Sequence, residues 1–336
     1  MKKLTTVTAL ALCVALALTS CGNGGGNDGQ DAVVTLTAGN ALSMESPSSI
    51  ALSFLSERAY ELSGGTLIIE YFIASQLGNP VEMLEATSLG MQDIVHSGGT
   101  WISNYIPERH VCSMFFLFDS DEHFLNFLRS DYNAEIEERF RQEKGIIMIG
   151  RYAMAAPRSM VTTVPVHSLE DLDGLLFRSP DIRAYFESIS ALGLHPVQLA
   201  IAEVYLGLMQ GIVDGACTML DSIYAMNFFE AAPYVLITDH VHDNYAFKMN
   251  EASFNRLSQR QQDALLQATH EASMLYNEIQ AENRYEFIRR MEERGATIIR
   301  PDTSAMREAT IARMWELEAE GMWPEGMIEA ILEMRP

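Results

Sequence analysis

Val33-Val34-Thr35-Leu36-Thr37-Ala38-Gly39 is a run of β-branched and aliphatic residues stopped by a glycine, the composition of a buried strand ending in a turn. Ser46-Pro47 then offers an N-cap and a first-turn proline. Ile50, Ala51, Phe54, Leu55 and Tyr60 follow at helical spacing until Gly64-Gly65 stops the helix. A second strand reads over Thr66-Leu67-Ile68-Ile69-Glu70-Tyr71-Phe72, a short helix over Val81 to Leu89 closed by Gly90, and a third strand over Asp93-Ile94-Val95-His96. Strand–helix–strand–helix–strand order predicts right-handed crossovers onto a parallel sheet.

The pattern recurs further along the chain. Strands read over Gly145 to Gly150, Ser159 to Val164 and Leu175 to Arg178, then a helix over Asp181 to Leu192 closed by Gly193. Val197 to Leu199 is strand-like, Ala202 to Gln210 is a helix closed by Gly211, and Gly215 to Met219 is a short strand. Ser258 to Arg294 is different, because it holds no glycine or proline and keeps an apolar row interrupted once, at Glu282. At about 1.5 Å per residue such a helix is roughly 55 Å long, more than the width of a small domain. It either breaks or spans two domains as a brace. Thr303 to Pro336 has the pattern of amphipathic helix rich in Met and Glu. A length of 336 residues also favours two domains, since single cores stop growing near roughly 250–300 residues.

Lys and Arg total 23 against 45 Asp and Glu, a formal charge of −22. A field of that sign repels nucleic-acid phosphate, and no basic cluster offsets it, so nucleic acid is excluded as a partner. Lys2 and Lys3 precede an apolar run from Val7 to Leu18, too short to span a bilayer comfortably. The run ends in Leu18-Thr19-Ser20-Cys21, which resembles a bacterial lipobox. Residues 1–20 are therefore expected to be a lipoprotein signal peptide, with lipidation at Cys21; an ordinary secretory peptide is the alternative. Residues 21–31 carry the Gly/Asn-rich GNGGGNDGQD and read as a flexible tether, giving an exported protein anchored to the lipid bilayer. Cys112 and Cys217 sit in apolar runs and are expected to lie buried as small hydrophobes rather than paired.

Catalytic motifs are absent from the sequence. Ser97-Gly98-Gly99-Thr100 lacks the flanking pattern of a nucleophile elbow and reads as a strand-end loop. His240-Val241-His242 places two imidazoles on one strand face if that segment is a strand. No carboxylate of ligand spacing accompanies them, and no metal is expected. With no GxGxxG after the first strand and no phosphate-binding loop with Lys-Ser/Thr, no nucleotide cofactor is expected either. The arginines are more informative. Arg178 ends the apolar run Leu175-Leu176-Phe177 just before Ser179-Pro180. Strand C-termini in open α/β sheets face the ligand crevice, where a guanidinium presents a rigid fork matching a carboxylate. Arg158 stands at the head of another strand among apolar neighbours.

Several motifs, in order and spacing, resemble one family. They are Ser75-Gln76-Leu77-Gly78, Gly90-Met91-Gln92-Asp93-Ile94 and Phe115-Phe116-Leu117-Phe118. Leu169-Glu170-Asp171-Leu172-Asp173-Gly174-Leu175 follows, then Arg178, Ala191-Leu192-Gly193, Glu203-Val204-Tyr205 and Gln210-Gly211-Ile212-Val213-Asp214-Gly215. From about Thr35 to Asp302 the chain resembles the solute-binding proteins of TRAP (tripartite ATP-independent periplasmic) transporters, of the DctP type.

The resemblance implies an α/β, two-lobed, periplasmic-binding-protein-like clamp with a hinge and a long bracing helix. Lobe I would comprise residues 32–154 plus 244–283, and lobe II residues 155–243 plus 284–336. It also implies a small organic acid bound between the lobes without chemistry, no cofactor, and docking of the loaded clamp on membrane permease subunits. Arg178 matches the family's carboxylate-binding arginine and Arg158 a second pocket arginine. Gln76, Ser97, Gly98 and Trp101 fall on first-lobe loops near the ligand, and Asp181, Ile201 and Thr218 where second-lobe contacts are usual. One departure is Ala216-Cys217-Thr218, where many relatives carry Gln-Glu-Asn or a Glu-Trp pair. Thr218 offers one short hydroxyl, and Asp181 favours a ligand with hydroxyls to donate. Hydroxylated acids, sugar acids included, are the first expectation, then C4-dicarboxylates or other monocarboxylates. The rival readings are an exported α/β enzyme acting on a carboxylate and a ligand-sensing envelope receptor.

Overall fold

In the computed structural model, which describes residues 31–336, the first five elements form in the expected order. They are β1 (Val34–Gly39), α1 (Pro47–Leu62), β2 (Leu67–Phe72), α2 (Pro80–Ser88) and β3 (Ile94–Gly98). The expected signal peptide, Cys21 and residues 21–30 of the tether lie outside the described residues. Ser46 caps α1 by accepting from the Ser49 amide, and Pro47 occupies the first turn. Asn79 caps α2 reciprocally with Glu82. β1 pairs in parallel with β2 (Leu36 opposite Ile69) and with β3 (Ala38 opposite Ile94).

After β3 come two 3₁₀ turns, Gly99–Asn104 and Pro107–Ser113, then α3 (Asp121–Leu128) and α4 (Asp131–Lys144), neither helix expected from the sequence. β4 (Ile146–Met154) runs past Gly150, where the sequence reading stopped. That glycine is a close approach rather than a strand end: a Cβ there would lie 3.0 Å from the Phe247 ring.

The second sheet uses β5 (Arg158–Thr162), β6 (Leu176–Ser179), α5 (Arg183–Ala191), β7 (His195–Gln198), α6 (Val204–Met209) and β8 (Gly215–Met219). α7 (Leu220–Ala225), α8 (Phe228–Ala231) and β9 (Tyr234–Leu236) follow. The chain then returns to the first sheet as β10 (Asn244–Asn250), antiparallel between β3 and β4. α9 (Glu251–Asn255), α10 (Gln259–Glu293), β11 (Thr297–Ile299), α11 (Ser304–Ala319) and α12 (Met327–Glu333) complete it. The two orders are β2-β1-β3-β10-β4 and β11-β9-β5-β8-β6-β7. The C-terminal region is two helices rather than one, parted by a bend with Gly321, Pro324 and Gly326.

α10 is unbroken over 35 residues, started by a capping box between Ser258 and Gln261. Its first half buries Leu265, Ala268 and Ala272 with Leu36, Leu52 and Phe247 of the first sheet's core. Its last turns bury Met291 with Val161, Phe228 and Val235 of the second. Asn277 fixes it to β4, accepting from the Met154 amide at 2.6 Å and donating to the Tyr152 carbonyl at 2.9 Å. Two sheets and one long helix packed on both are the α/β architecture expected from the sequence. Cys112 and Cys217 are buried free thiols, also as expected.

The joint between β5, β6 and β8 is tight. A Cβ at Gly215 would sit 2.7 Å from the Phe177 ring and 2.9 Å from the Val161 carbonyl oxygen. Gly215→Ala should therefore cost about 1–3 kcal/mol by overpacking. Urea denaturation would read this as a lower midpoint at constant slope; an unchanged midpoint would mean the strands yield freely.

Candidate functional site

β6 and β8 are parallel while β5 is antiparallel to β8, so the C-terminal ends of β6 and β8 share an edge with the start of β5. Arg178 lies opposite Ala216 of β8, and Arg158 opposite Met219. The topology thus brings both sequence-predicted arginines to one edge. Arg178 is only 5% exposed, and its Nε donates to the Leu199 carbonyl at 2.8 Å. Its two terminal nitrogens make no hydrogen bond to the described residues, and no described carboxylate lies within ion-pair reach. Burial pushes its pKa down to about 10, which leaves it cationic at neutral pH.

Arg158 is partly buried. One terminal nitrogen reaches the Cys217 carbonyl at a long 3.5 Å, and the guanidinium stands 5.1 Å from the centroid of the Tyr185 ring. Its Nε and the Tyr185 hydroxyl are buried without a hydrogen-bond partner among the described residues. Exposed arginines such as Arg289 and Arg290, by contrast, are paired with acids.

The first sheet supplies the facing wall. Gly98 ends β3, and Thr100 and Trp101 lie in the 3₁₀ turn after it. With Ala155, Ala156, Arg158, Met219, Asp243 and Tyr245 they line one cavity of about 20 Å³, measured as space open to the centre of a water molecule. Lys248 of β10 is fully buried and holds this wall in place. Its Nζ donates to the Ser97 carbonyl at 2.6 Å, the Ser97 hydroxyl at 3.0 Å and the Gly98 carbonyl at 3.1 Å. Burial pushes its pKa down to about 7. The Asp243 carboxylate accepts from the Thr100 hydroxyl at 3.2 Å and from the Asn244 amide at 2.8 Å, and burial raises its pKa.

Of the residues singled out in the sequence, Gly98, Trp101 and Arg158 line the cavity, and Arg178 shares the edge with Arg158. Thr218 is buried in β8 opposite Ser159 but is not part of the lining. Ser97 is taken up by Lys248. Gln76, Asp181 and Ile201 are exposed and stand outside the cavity. The His240–His242 segment is not a strand: His240 Nδ1 bonds the Thr238 hydroxyl at 2.7 Å, and His242 Nδ1 bonds Asp121 at 2.6 Å. Thr100 lies within the Ser97–Trp101 loop expected near the ligand, whereas Asp243, Tyr245 and Lys248 were missed. Lys248 had a signal, because it is one of only two lysines beyond residue 3 and interrupts the apolar run Ala246-Phe247-Lys248-Met249.

Residues 38–320 match the bacterial extracellular solute-binding proteins, family 7, also called DctP. The chain belongs to this family. Among curated relatives, a solute-binding protein of Roseobacter denitrificans is 26% identical over 276 residues, covering 82% of this chain and 84% of the relative. Two TRAP periplasmic solute-binding proteins of known structure share the fold. The one from Sulfitobacter sp. NAS-14.1, solved with bound β-D-galacturonate, superposes with a TM-score of 0.81 at 24% identity, covering 90% of this chain and 99% of that one. The other, from Roseobacter denitrificans, was solved with 3-deoxy-D-manno-oct-2-ulosonic acid. It gives 0.82 at 24% identity, covering 91% and 100%.

The buried lysine makes the stability of this DctP protein depend on pH with a defined sign. Its pKa is about 7 folded and about 10.4 unfolded. Between these values the unfolded chain binds more protons, so the contribution of this group to stability rises with pH from about 7 to about 10 and is flat below. Comparing wild type with Lys248→Met by urea denaturation at about pH 6.5, 8 and 9.5 should show the difference moving in favour of wild type as pH rises. A pH-independent difference would mean that Lys248 titrates like a solvated lysine.

Proposed function

We propose that this chain captures a small organic acid anion outside the cytoplasm and delivers it, unchanged, to the membrane permease of a TRAP-type secondary transporter. The observation that carries the reading is the pair Arg178 and Arg158: two shielded guanidiniums on one sheet edge with no described acid in ion-pair reach. A buried cation without a partner is costly, and a bound carboxylate is the anion whose geometry matches the fork. Sugar acids are the first choice of ligand and C4-dicarboxylates the second. Support comes from the galacturonate and the octulosonic acid named for the two similar structures.

On this reading each sheet is the core of one lobe. Lobe I takes residues 32–154 plus 244–283, and lobe II residues 155–243 plus 284–336. The lobes are joined through 155–157, 237–243 and α10. A cavity of about 20 Å³ is far below the roughly 300–1,000 Å³ of typical ligand pockets. Hinged separation of the lobes is therefore the route of entry, and closure brings both walls onto the ligand. Gln76, Asp181, Ile201 and Thr218 remain candidates for contacts in a more open cleft. Cys21 would carry the lipid that anchors the exported protein, with residues 22–31 as its tether. Cys21→Ser should then release the protein from membrane fractions or stall its processing. Wild-type protein recovered wholly soluble, with an unmodified mature N-terminus, would overturn the anchor.

Arg178 gives the direct test of carboxylate capture. The acidic field of the chain is screened beyond about 8 Å at physiological ionic strength, so the local cation dominates inside the cleft. Charge-assisted hydrogen bonds are worth roughly 1.5–3 kcal/mol each. Arg178→Ala should therefore weaken binding of a panel hit such as galacturonate by about tenfold to a hundredfold or more. Arg178→Lys should recover little, because a point charge does not reproduce the planar fork. Arg300→Ala, at an exposed position away from the edge, is the control. Titration calorimetry decides: near-wild-type affinity in folded Arg178→Ala would remove the arginine from the site.

A further inference from the structure

The cavity lining contains two charged residues, Arg158 and Asp243. They face the same space yet lie beyond ion-pair distance of each other, so neither neutralises the other by contact. We infer that Asp243 is the specificity-determining residue of the cleft: it accepts the hydroxyl hydrogens of a polyhydroxylated monocarboxylate and turns away ligands that bring a second carboxylate. The inference rests on the carboxylate reading above and deepens it.

The geometry supports a built acceptor. Asp243 is 6% exposed, and its Oδ1 is held by the Asn244 amide at 2.8 Å. Its Oδ2 is held by the Thr100 hydroxyl at 3.2 Å. A carboxylate has about four lone-pair positions, so two remain for a ligand. A Cβ at Gly98 would come within 3.2 Å of Oδ2 and 3.4 Å of the Thr100 hydroxyl, so the glycine keeps this corner clear.

The charges around the carboxylate decide which ligand group it faces. Arg109, buried and bonded to Asn133 and Asn244, and Arg158 both act electrostatically on Asp243, and Lys248 does so when protonated. Burial raises the pKa of Asp243, and these cations offset part of that rise by favouring the ionised form. A second ligand carboxylate placed against this carboxylate meets like charge. A ligand ammonium meets Arg158 in the lining and the Arg109 guanidinium near Asp243. A neutral hydroxyl donor suffers neither penalty. The matching ligand therefore has a carboxylate for the arginines and hydroxyls for Asp243.

The test uses pairs of acids that differ at one end only, galactonate against galactarate and gluconate against glucarate, with succinate and glutamate as the competing classes. In calorimetric titrations of the wild-type protein at about pH 7.5, the better aldonate should bind at least about tenfold more tightly than its aldarate, succinate or glutamate. Asp243→Asn, which keeps the shape but removes the charge, should weaken the aldonate about tenfold to a hundredfold and narrow or reverse the aldonate–aldarate ratio. The wild-type ratios stand whether or not the variant folds. Succinate, glutamate or an aldarate binding as tightly as the best aldonate would overturn the assignment of Asp243 while leaving carboxylate capture intact. So would a folded Asp243→Asn protein with an unchanged ratio. Failure of every carboxylate to bind would overturn carboxylate capture, and this inference with it.

Discussion

A guanidinium taken out of water has to find hydrogen-bond acceptors and negative charge, and at Arg178 the fold supplies one carbonyl, that of Leu199, and no described acid. The surrounding strands are closely packed. β6 is clamped between β7 and β8, and Gly215 lets β8 approach Phe177 at a distance no other residue would allow. At Arg158 the Tyr185 ring takes part of the role of a counter-charge. Such a cation raises the energy of the empty site and lowers that of the site holding an anion. On the function proposed above both changes favour capture, and the arginines stand at the strand ends instead of pairing as their surface counterparts do.

The same constraint explains the construction of the facing wall. Lys248 does not point into the cavity lining; it spends its donors on Ser97 and Gly98 and fixes the end of β3 where Thr100 and Trp101 begin. From Tyr245 in the cavity wall a polar and aromatic path leads outward. Tyr245 stacks on Tyr276 of α10 at 5.7 Å, and Gln280 donates to the Tyr276 hydroxyl at 3.0 Å and, more weakly, to Asp221 of α7 at 3.4 Å. α7 follows directly on β8. The brace helix thereby touches the cavity wall of the first sheet and the strand end of the second in one short stretch. The segment after the 3₁₀ turns makes a further join, because the Phe115 amide donates to the Ser188 hydroxyl and the Phe116 amide to the His240 carbonyl.

Local patterns were legible where short-range physics sets them: the Ser46-Pro47 start, the Gly64-Gly65 stop and the glycine-free run of α10. β9, β10 and β11 were not, because their pairing partners are remote in sequence; β10 lies between strands about 95 to 150 residues earlier. At the site, Arg178 was readable from its place at a strand end. Asp243 was not, since it lies in an irregular crossing whose proximity to Thr100 is created only by the insertion of β10 beside β3. In a chain with 45 acids, one more aspartate carries no signal of its own.

The division of the site between sheets has a consequence for selection. The arginines belong to strands of the second sheet, whereas Thr100 follows a strand of the first and Asp243 precedes one. On the assignment proposed above, a carboxylate alone satisfies only the second sheet, and hydroxyls alone satisfy only the first. A ligand carrying both groups at the right separation gains both sets of bonds, and only when the walls are close enough to share it. On the two-lobe division proposed above, Asp243 also lies in one of the two crossings between the sheets that would flex as the walls part. Recognition of the hydroxylated end and stabilisation of the closed state are then the same event, so a ligand that binds without engaging Asp243 leaves the clamp without its full drive to close.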